Sequence, residues 1–339
     1  MVTDFNVPSG KIALKPASPR HTSKLMLIKL PSLETEDLIF RDIYDILEKG
    51  SAVAVNNSKV INARLKGKKF TGGRAEFLLL RFKEGLWEAL GKPAARIKEK
   101  SVIQVNSPQG KNTAIRIEKK KEGGLFLLSA PENILDFGHV PLPPYIVSKR
   151  PGLPEDEYDY RSVFSKHPGS VASATASLHF SRELKDSLIQ KGVSFVPLTL
   201  HVGPGTFMEE YREPSREDYE LSPDSASKIE NAPRVLVCGT TSMRVLESCF
   251  HKGKLRPSKG STGLYIKPGY KFKKRDMFLT NFHLPQTPLI DLVSAYIDEK
   301  LPGEGRKALK HIYSLAAEKD YRFLSYGDAM LFTNEKNGR

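Results

Sequence analysis

Between residues 66 and 141 the texture of this chain changes, and no other feature limits its fold so strongly. Short apolar stretches at 75–81, 86–90, 102–105, 113–117 and 125–128 alternate with Gly72-Gly73, Gly91, Pro93, Pro108, Gly110 and Gly123-Gly124. Five short strands separated by glycine- and proline-marked turns predict a small barrel or sandwich. The flanks read differently. Residues 25–30 form an apolar run, and 37–48 carry Leu38, Phe40, Ile43, Ile46 and Leu47 at mixed helical spacing. Residues 52–55 are β-like and end in the polar turn Asn56-Asn57-Ser58-Lys59, a usual place for ligand groups. The stiff stretch Val140-Pro141-Leu142-Pro143-Pro144-Tyr145 then returns the chain to α/β patterning.

A helix is expected over 181–191, with Ser181 as N-cap, Leu184, Leu188 and Ile189 on one face, and Gly192 closing it. Strands are expected at 194–202 and 234–238, and helices at 242–250, 289–299 and 306–318. The fold class is therefore α/β. A discontinuous mixed-sheet domain covers 1–65 and 146–333, a small inserted β-barrel covers 66–145, and 334–339 is a frayed tail. At 339 residues the chain exceeds the ~250–300 at which one core stops growing, which suits two units.

Composition removes several functional classes. Cys238 and Cys249 are the only cysteines, too few for a disulfide framework or a four-ligand zinc site, and no metal spacing is present. Cys238 lies in an apolar run and is expected to be a buried structural thiol. No run approaches the ~18 apolar residues of a membrane helix. The opening MVTDFNVPSG lacks a signal-peptide layout, so a cytoplasmic protein without a membrane partner is expected. Lys and Arg total 53 against 39 Asp and Glu, a formal charge of +14 that favours a polyanionic partner.

Five segments carry candidate chemistry. At 235–244 a strand turns through Gly239 and the hydroxyls of Thr240, Thr241 and Ser242 towards Arg244; such a helix start binds phosphate or carboxylate, with plain N-capping as the competing reading. At 199–207 His201 precedes Gly203, Gly205 and Thr206, where glycines admit a ligand close to the backbone. Residues 169–180, with Ser170, Thr175 and His179, are small and hydroxyl-rich, suited to a flat base or ribose or simply to packing. At 280–285 Asn281 and His283 share one strand face. Residues 321–328 place Tyr326 and Asp328 in an aromatic stretch that either stacks a base or seals a core.

Taken in order, VPLPPYI (140–146), GSVASATASLHF (169–180), TLHVGPGTF (199–207), GTTSMRVLES (239–248), TNFHLP (280–285) and YRFLSYGDAML (321–331) resemble the S-adenosylmethionine:tRNA ribosyltransferase-isomerases of queuosine synthesis. VTDF (2–5), PRHTSKL (19–25) and NNSKVINARL (56–65) extend the resemblance over nearly the whole chain. It implies transfer and isomerisation of the ribosyl part of S-adenosylmethionine onto 7-aminomethyl-7-deazaguanine at the wobble position of tRNA, with adenine and methionine released. S-adenosylmethionine is then a co-substrate, the tRNA anticodon stem-loop is the partner, no prosthetic group is expected, and the enzyme is a monomer. It also implies roles: His179, His201 or His283 as the base that takes the C5′ proton, and Asp328 or another histidine for the acceptor amine. The turn through Thr240, Thr241 and Ser242, with Arg244, would hold the methionine carboxylate. Asn56, Lys59 and Arg64 would lie near ribose or phosphate, and Ser170, Thr175, Gly203, Gly205, Thr206, Asn281 and Tyr326 near S-adenosylmethionine or the tRNA base.

The sequence departs from that family in one stretch: residues 208–218 contain no histidine where its members carry a longer insert with His-x-Met-His. A tRNA-docking loop is the expected home of that insert. The alternative is a non-catalytic tRNA-binding paralogue. An RNA methyltransferase is disfavoured by the lack of a glycine-rich nucleotide fingerprint after the first strand.

Overall fold

A strand that is apolar at every position needs cover on both faces, and the central strands here are of that kind. In β1 (Lys24–Leu30), Leu25 and Leu27 enter one core while Met26, Ile28 and Leu30 enter another. The computed structural model describes residues 7–207, 216–273 and 275–334. After β1 come β2 (Thr35–Ile39), the one-turn helix α1 (Ile43–Ile46), β3 (Ala52–Asn56) and β4 (Ser58–Val60). Six strands follow: β5 (Arg64–Lys69), β6 (Arg74–Lys83), β7 (Leu86–Lys92), β8 (Val102–Asn106), β9 (Asn112–Lys120) and β10 (Leu125–Ser129). The chain returns through α2 (Pro144–Val147), α3 (Asp156–Asp159), β11 (His167–Ser170), α4 (Arg182–Gln190), β12 (Ser194–Leu200), β13 (Glu217–Leu221) and α5 (Pro223–Asn231). It ends with β14 (Val235–Cys238), α6 (Gly239–Cys249), β15 (Phe250–His251), β16 (Lys254–Leu255), β17 (Ser258–Thr262), β18 (Met277–Asn281), α7 (Pro288–Asp298), α8 (Gly305–Glu318) and β19 (Ala329–Asn334).

Two sheets result. The larger has nine strands in the order β17-β13-β12-β3-β14-β18-β19-β1-β2, and β10-β7-β6-β5-β8-β9 close into a barrel. Helices α5 to α8 pack with one sheet face, whereas Phe40, Ile43 and α4 cover the other. The barrel has its own core around Phe77, Ile103, Ile117 and Phe126. A fourth cluster, including Leu142, Ile146, Tyr160 and Tyr326, packs the returning segment against the C-terminal region.

The structure corrects several local expectations. Strand β5 closes the barrel but its sequence, Arg-Leu-Lys-Gly-Lys-Lys, has a single buried hydrophobic side chain, Leu65. It is held by its ladders to β6 and β8, and Gly67 permits the approach: a Cβ there would lie 2.6 Å from the Gln104 carbonyl oxygen. Residues 37–48 are not one helix. The edge of β1 recruits Asp37, Leu38 and Ile39 into antiparallel β2, leaving one helical turn at α1. In α4, Ser181 Oγ accepts a hydrogen bond from the Leu184 amide at 3.2 Å, as an N-cap should. Leu184 and Leu188 are buried, but Ile189, one residue further round, is 49% exposed. Helix α6 starts at Gly239 itself rather than at 242. Of the expected tail, Asn334 ends β19 and the remainder lies outside the described residues.

The sheet directions locate the site. Strands β12, β3, β14 and β18 are mutually parallel, β19 runs against β18, and β1 runs with β19. The carboxyl ends of four central strands therefore meet the starts of β19 and β1 along one edge. In open α/β sheets ligands bind outside the carboxyl ends of strands.

Candidate functional site

Segment 169–180 runs crosswise over that edge and touches it at three places. At β3 and β12, Ser170 Oγ donates to Ser58 Oγ at 2.7 Å and accepts from the Val202 amide at 2.9 Å. Beyond the end of β14, Ser177 Oγ lies 3.5 Å from Cys238 Sγ, and Ala176 abuts Gly239. At β18 and β1, His179 meets Asn281 and Ser23. Thr175 opens the 3₁₀ turn Thr175–His179 that makes the last two contacts.

The His179 contacts fix its tautomer. Asn281 Nδ2 donates to the Leu324 carbonyl at 3.1 Å, which identifies that end of the amide as nitrogen. The same group therefore donates to His179 Nε2 at 3.2 Å, and His179 Nδ1–H donates to Ser23 Oγ at 2.8 Å. The ring stacks on Phe40 at 5.0 Å. Burial pushes the imidazole down to about 4, against the pull of Asp328. His283 is also pushed down to about 4 by burial. Its ring turns back onto Thr280 Oγ1, 2.8 Å from Nε2, so it leaves the face occupied by Asn281, contrary to expectation. Strand β18 ends at Asn281, and the period of two ends with it.

A pH dependence follows. In the unfolded chain both imidazoles titrate near ~6.5. Folded, they do so near 4, so the unfolded state binds more protons between those values. Their contribution to stability is complete above about pH 6.5 and is lost as pH falls towards 4. Melting temperature should decline across that window, and His179→Gln should flatten the slope; an unaltered slope would show that the ring is not the linked group.

His201 has a different environment. It follows β12, is half-buried, and its Nδ1 has no partner among the described residues. Its ring lies against Gly169, where a Cβ would stand 2.6 Å from Nδ1 and where φ is +145°, a conformation suited only to glycine. Burial lowers its pKa, partly opposed by Asp218. Gly203 donates its amide to Glu217 Oε1 at 2.7 Å. Gly205 and Thr206 lie in the turn Pro204–Phe207, and most of the histidine-free stretch, residues 208–215, lies outside the described residues.

Asn56 is fully buried and knits β3 to β12: its Oδ1 accepts from the Ser58 and Leu200 amides and its Nδ2 donates to the Leu200 carbonyl. Lys59 lies beside it on β4, opposite Pro168. Arg64 stands at the root of the barrel, 3.0 Å from Glu76, and does not join the cluster. Arg244 is buried in an ion pair with Glu217 and donates to the Leu264 and Thr262 carbonyls, so its fork is already engaged. Asp328 Oδ1 accepts from the Lys24 amide at 2.9 Å and Oδ2 from the Arg322 amide at 2.7 Å, fastening the start of β1 to segment 321–328.

At the start of α6, Thr240 is buried, and Thr241 Oγ1 and Ser242 Oγ are buried without a partner among the described residues. Neither hydroxyl caps the helix, so the competing reading of this turn as plain N-capping does not describe it. Asn281 Oδ1 and Tyr326 OH are likewise buried and unpartnered. Tyr326 packs edge-on against Tyr160 and lines a narrow cleft with Arg20, Ser23, His179, Ser325 and Gly327. Sequence reasoning passed over Arg20 and Ser23, although they sit in a polar stretch directly before the apolar β1. Arg20 donates to the Tyr158 and Arg161 carbonyls at 2.7 Å each. Both cysteines are buried, and burial raises each thiol to about 12. Among the described residues no helix is long and apolar enough to cross a membrane, and no group of three His, Cys, Asp or Glu side chains is placed to hold a metal.

Five orphaned polar atoms thus converge on one sheet edge. Buried polar groups are nearly always satisfied, so these atoms leave hydrogen-bonding capacity that a polar ligand can take up. Residues 2–332 match the family model described as "Queuosine biosynthesis protein". Proteins named S-adenosylmethionine:tRNA ribosyltransferase-isomerase from Clostridioides difficile and Azorhizobium caulinodans are 40% and 37% identical, covering 96% and 97% of this chain and 97% and 98% of their own. A crystal structure described as S-adenosylmethionine tRNA ribosyltransferase from Thermotoga maritima is 29% identical, covers 97% of this chain and 99% of that one, and superposes with a TM-score of 0.56.

Proposed function

This chain belongs to the queuosine biosynthesis protein family, and from that membership and the chemistry of the sheet edge we propose that it is an S-adenosylmethionine:tRNA ribosyltransferase-isomerase. It transfers the ribosyl part of S-adenosylmethionine to 7-aminomethyl-7-deazaguanine at the tRNA wobble position and rearranges it to an epoxycyclopentanediol, releasing adenine and methionine. The observation that carries the reading is the set of unpartnered atoms His201 Nδ1, Thr241 Oγ1, Ser242 Oγ, Asn281 Oδ1 and Tyr326 OH, all within family motifs.

Each has work to do in this reaction. The sulfonium acidifies the neighbouring C5′ proton, and the neutral His201 imidazole, with a free ring nitrogen, is the group to take it. The amide groups at the start of α6, joined by the Thr241 and Ser242 hydroxyls, hold the methionine carboxylate. With Arg244 engaged by Glu217, that carboxylate relies on the helix end. His179, held neutral with both nitrogens bonded, positions Ser23 and Asn281 at the far end of the site.

Residues 1–65 with 146–333 act as the catalytic unit and 66–145 as the inserted unit. S-adenosylmethionine enters as a co-substrate, no prosthetic group is required, and the enzyme works as a cytoplasmic monomer on the anticodon stem-loop. No feature of the site favours the non-catalytic alternative. The test is a chromatographic assay with S-adenosylmethionine and tRNA bearing the 7-aminomethyl-7-deazaguanine base. Adenine and methionine appearing together support the transferase; tRNA binding without adenine supports the non-catalytic paralogue; S-adenosylhomocysteine would mean methyl transfer.

Ser242→Ala separates a ligand contact from a structural hydroxyl. Removing an unpaired buried hydroxyl relieves its desolvation penalty and leaves only a small void. The melting temperature should therefore hold or rise, while KM for S-adenosylmethionine rises by about tenfold or more, as expected for a lost bond to a charged group. An unchanged KM would remove Ser242 from the site.

A further inference from the structure

We propose that the β6–β7 hairpin of the barrel is a base-stacking arm for the tRNA loop, with Phe82 and Trp87 as its stacking surface; this rests on the tRNA reading above. Three observations meet at this hairpin. The first is charge. Residues 64–129 hold sixteen Lys and Arg against six Asp and Glu, a net +10 of the chain's +14. A polyanion therefore meets the barrel before it meets the sheet edge.

The second is the hairpin's reach. Strand β6 pairs with β5 only from Lys68↔Arg74 to Arg64↔Leu78, whereas its pairing with β7 continues to Lys83↔Leu86. Beyond Leu79, β6 has no strand on its β5 side and runs past the point where β5 enters from the large sheet. Glu84 and Gly85, with φ of 51° and 78°, form the tight two-residue turn that holds this overhang as a ribbon. Asp218, on β13, lies within electrostatic reach of both Arg81 of the ribbon and His201.

The third is the surface at its tip. Phe82 is 59% exposed and lies 5.4 Å from the Trp87 ring, tilted by 52°. Arg81 and Lys83 flank it in sequence, both largely exposed, with Arg81 paired to Glu88 and Lys83 to Glu84 at the surface. The exposed Phe82 ring, backed by the half-buried Trp87 that packs on the barrel core, offers a face on which an unpaired base stacks, while basic side chains along the ribbon meet the backbone phosphates. A nucleotide flanking the modified position is the occupant this geometry suits, because the ribbon stands beside the edge that carries His201.

Trp87 is the only tryptophan in the chain and reports on stacking directly. Anticodon stem-loop RNA should quench its fluorescence saturably, while inorganic polyphosphate, which has the charge but no bases, should compete for binding without quenching. Phe82→Ala should raise Kd for the RNA and KM for tRNA by about tenfold, the scale of one lost stack. Its kcat at saturating tRNA should stay within about twofold, because binding alone is weakened. Phe82→Tyr should behave as wild type, as should Phe70→Ala in the turn at the opposite end of the barrel. RNA that binds and turns over with Trp87 emission unchanged and Phe82→Ala at full affinity would overturn the arm alone. Equal losses in Phe70→Ala and Phe82→Ala would also overturn it, as a diffuse contact. Wild-type protein that neither binds the RNA nor releases adenine would instead overturn the tRNA reading and the arm with it.

Discussion

Replacing His201 with alanine will lower adenine release by ~10²–10⁴-fold, the loss that follows removal of a positioned general base. Three histidines were candidates, and their surroundings separate them. His179 has both ring nitrogens bonded, to Ser23 and Asn281, and His283 is folded onto Thr280. His201 alone among them combines a place at the end of β12 with a buried nitrogen that lacks a partner among the described residues. Burial keeps it neutral at pH 7, so the base form is present without prior deprotonation. The acidic limb of kcat/KM should therefore fall below the ordinary imidazole value of about 6.5, and should vanish in the variant. His201→Ala should retain its melting temperature and its affinity for tRNA. Turnover within a few-fold of wild type would remove His201 from the mechanism.

Glu217→Ala will be the most destabilising change at the site, by about 3–5 kcal/mol, because it leaves the Arg244 guanidinium buried without its counter-ion. Both side chains are more than nine-tenths buried, and Glu217 also accepts the Gly203 amide. The melting temperature should drop by about 10 °C for a chain of this size. Glu217→Leu combined with Arg244→Met should recover most of that loss, because removing both charges avoids the uncompensated one. The double variant should still turn over poorly, since the amide of Gly203 stays unsatisfied and the loop after His201 loses its anchor. A double variant no more stable than Glu217→Ala would show that the pair is not the source of the loss.

The strands that were plain in the sequence are those buried on both faces. Residues 25–30, 52–55 and 235–238 are apolar throughout, and β1, β3 and β14 occupy them. Strand β5 was hidden because barrel closure supplies its ladder from both sides and asks little of its side chains. The half-helical reading of 37–48 failed because an open sheet edge outweighs weak periodicity. The site segments were visible as turns of glycine and hydroxyl residues after strands. Which member of each segment faces a ligand was not, since that depends on partners distant in sequence. Glu217 claims Arg244 from 27 positions away, and Leu324 orients Asn281 from 43. The Phe82–Trp87 pair gave no signal in an alternating strand pattern, because its exposure arises from where β5 stops.

Strand order also dictates when this protein can exist. Among the described residues the last strand, β19, lies between β18 and β1, and β1 has no other neighbour in the sheet but β2. The first-made hairpin of the large sheet therefore waits for the last-made strand before it can join. The barrel, contiguous from Arg64 to Ser129, has no such dependence. During synthesis the barrel can fold long before β19 is made, whereas β1 stays an apolar edge without that neighbour until then. A ribosome that stops before Ala329 releases a molecule with a finished barrel and a severed sheet. Ser23 is then held near His179 only by Arg20, His21 and Phe40, which reach residues 158–181 without β19, so the site of the incomplete chain lacks its sheet frame.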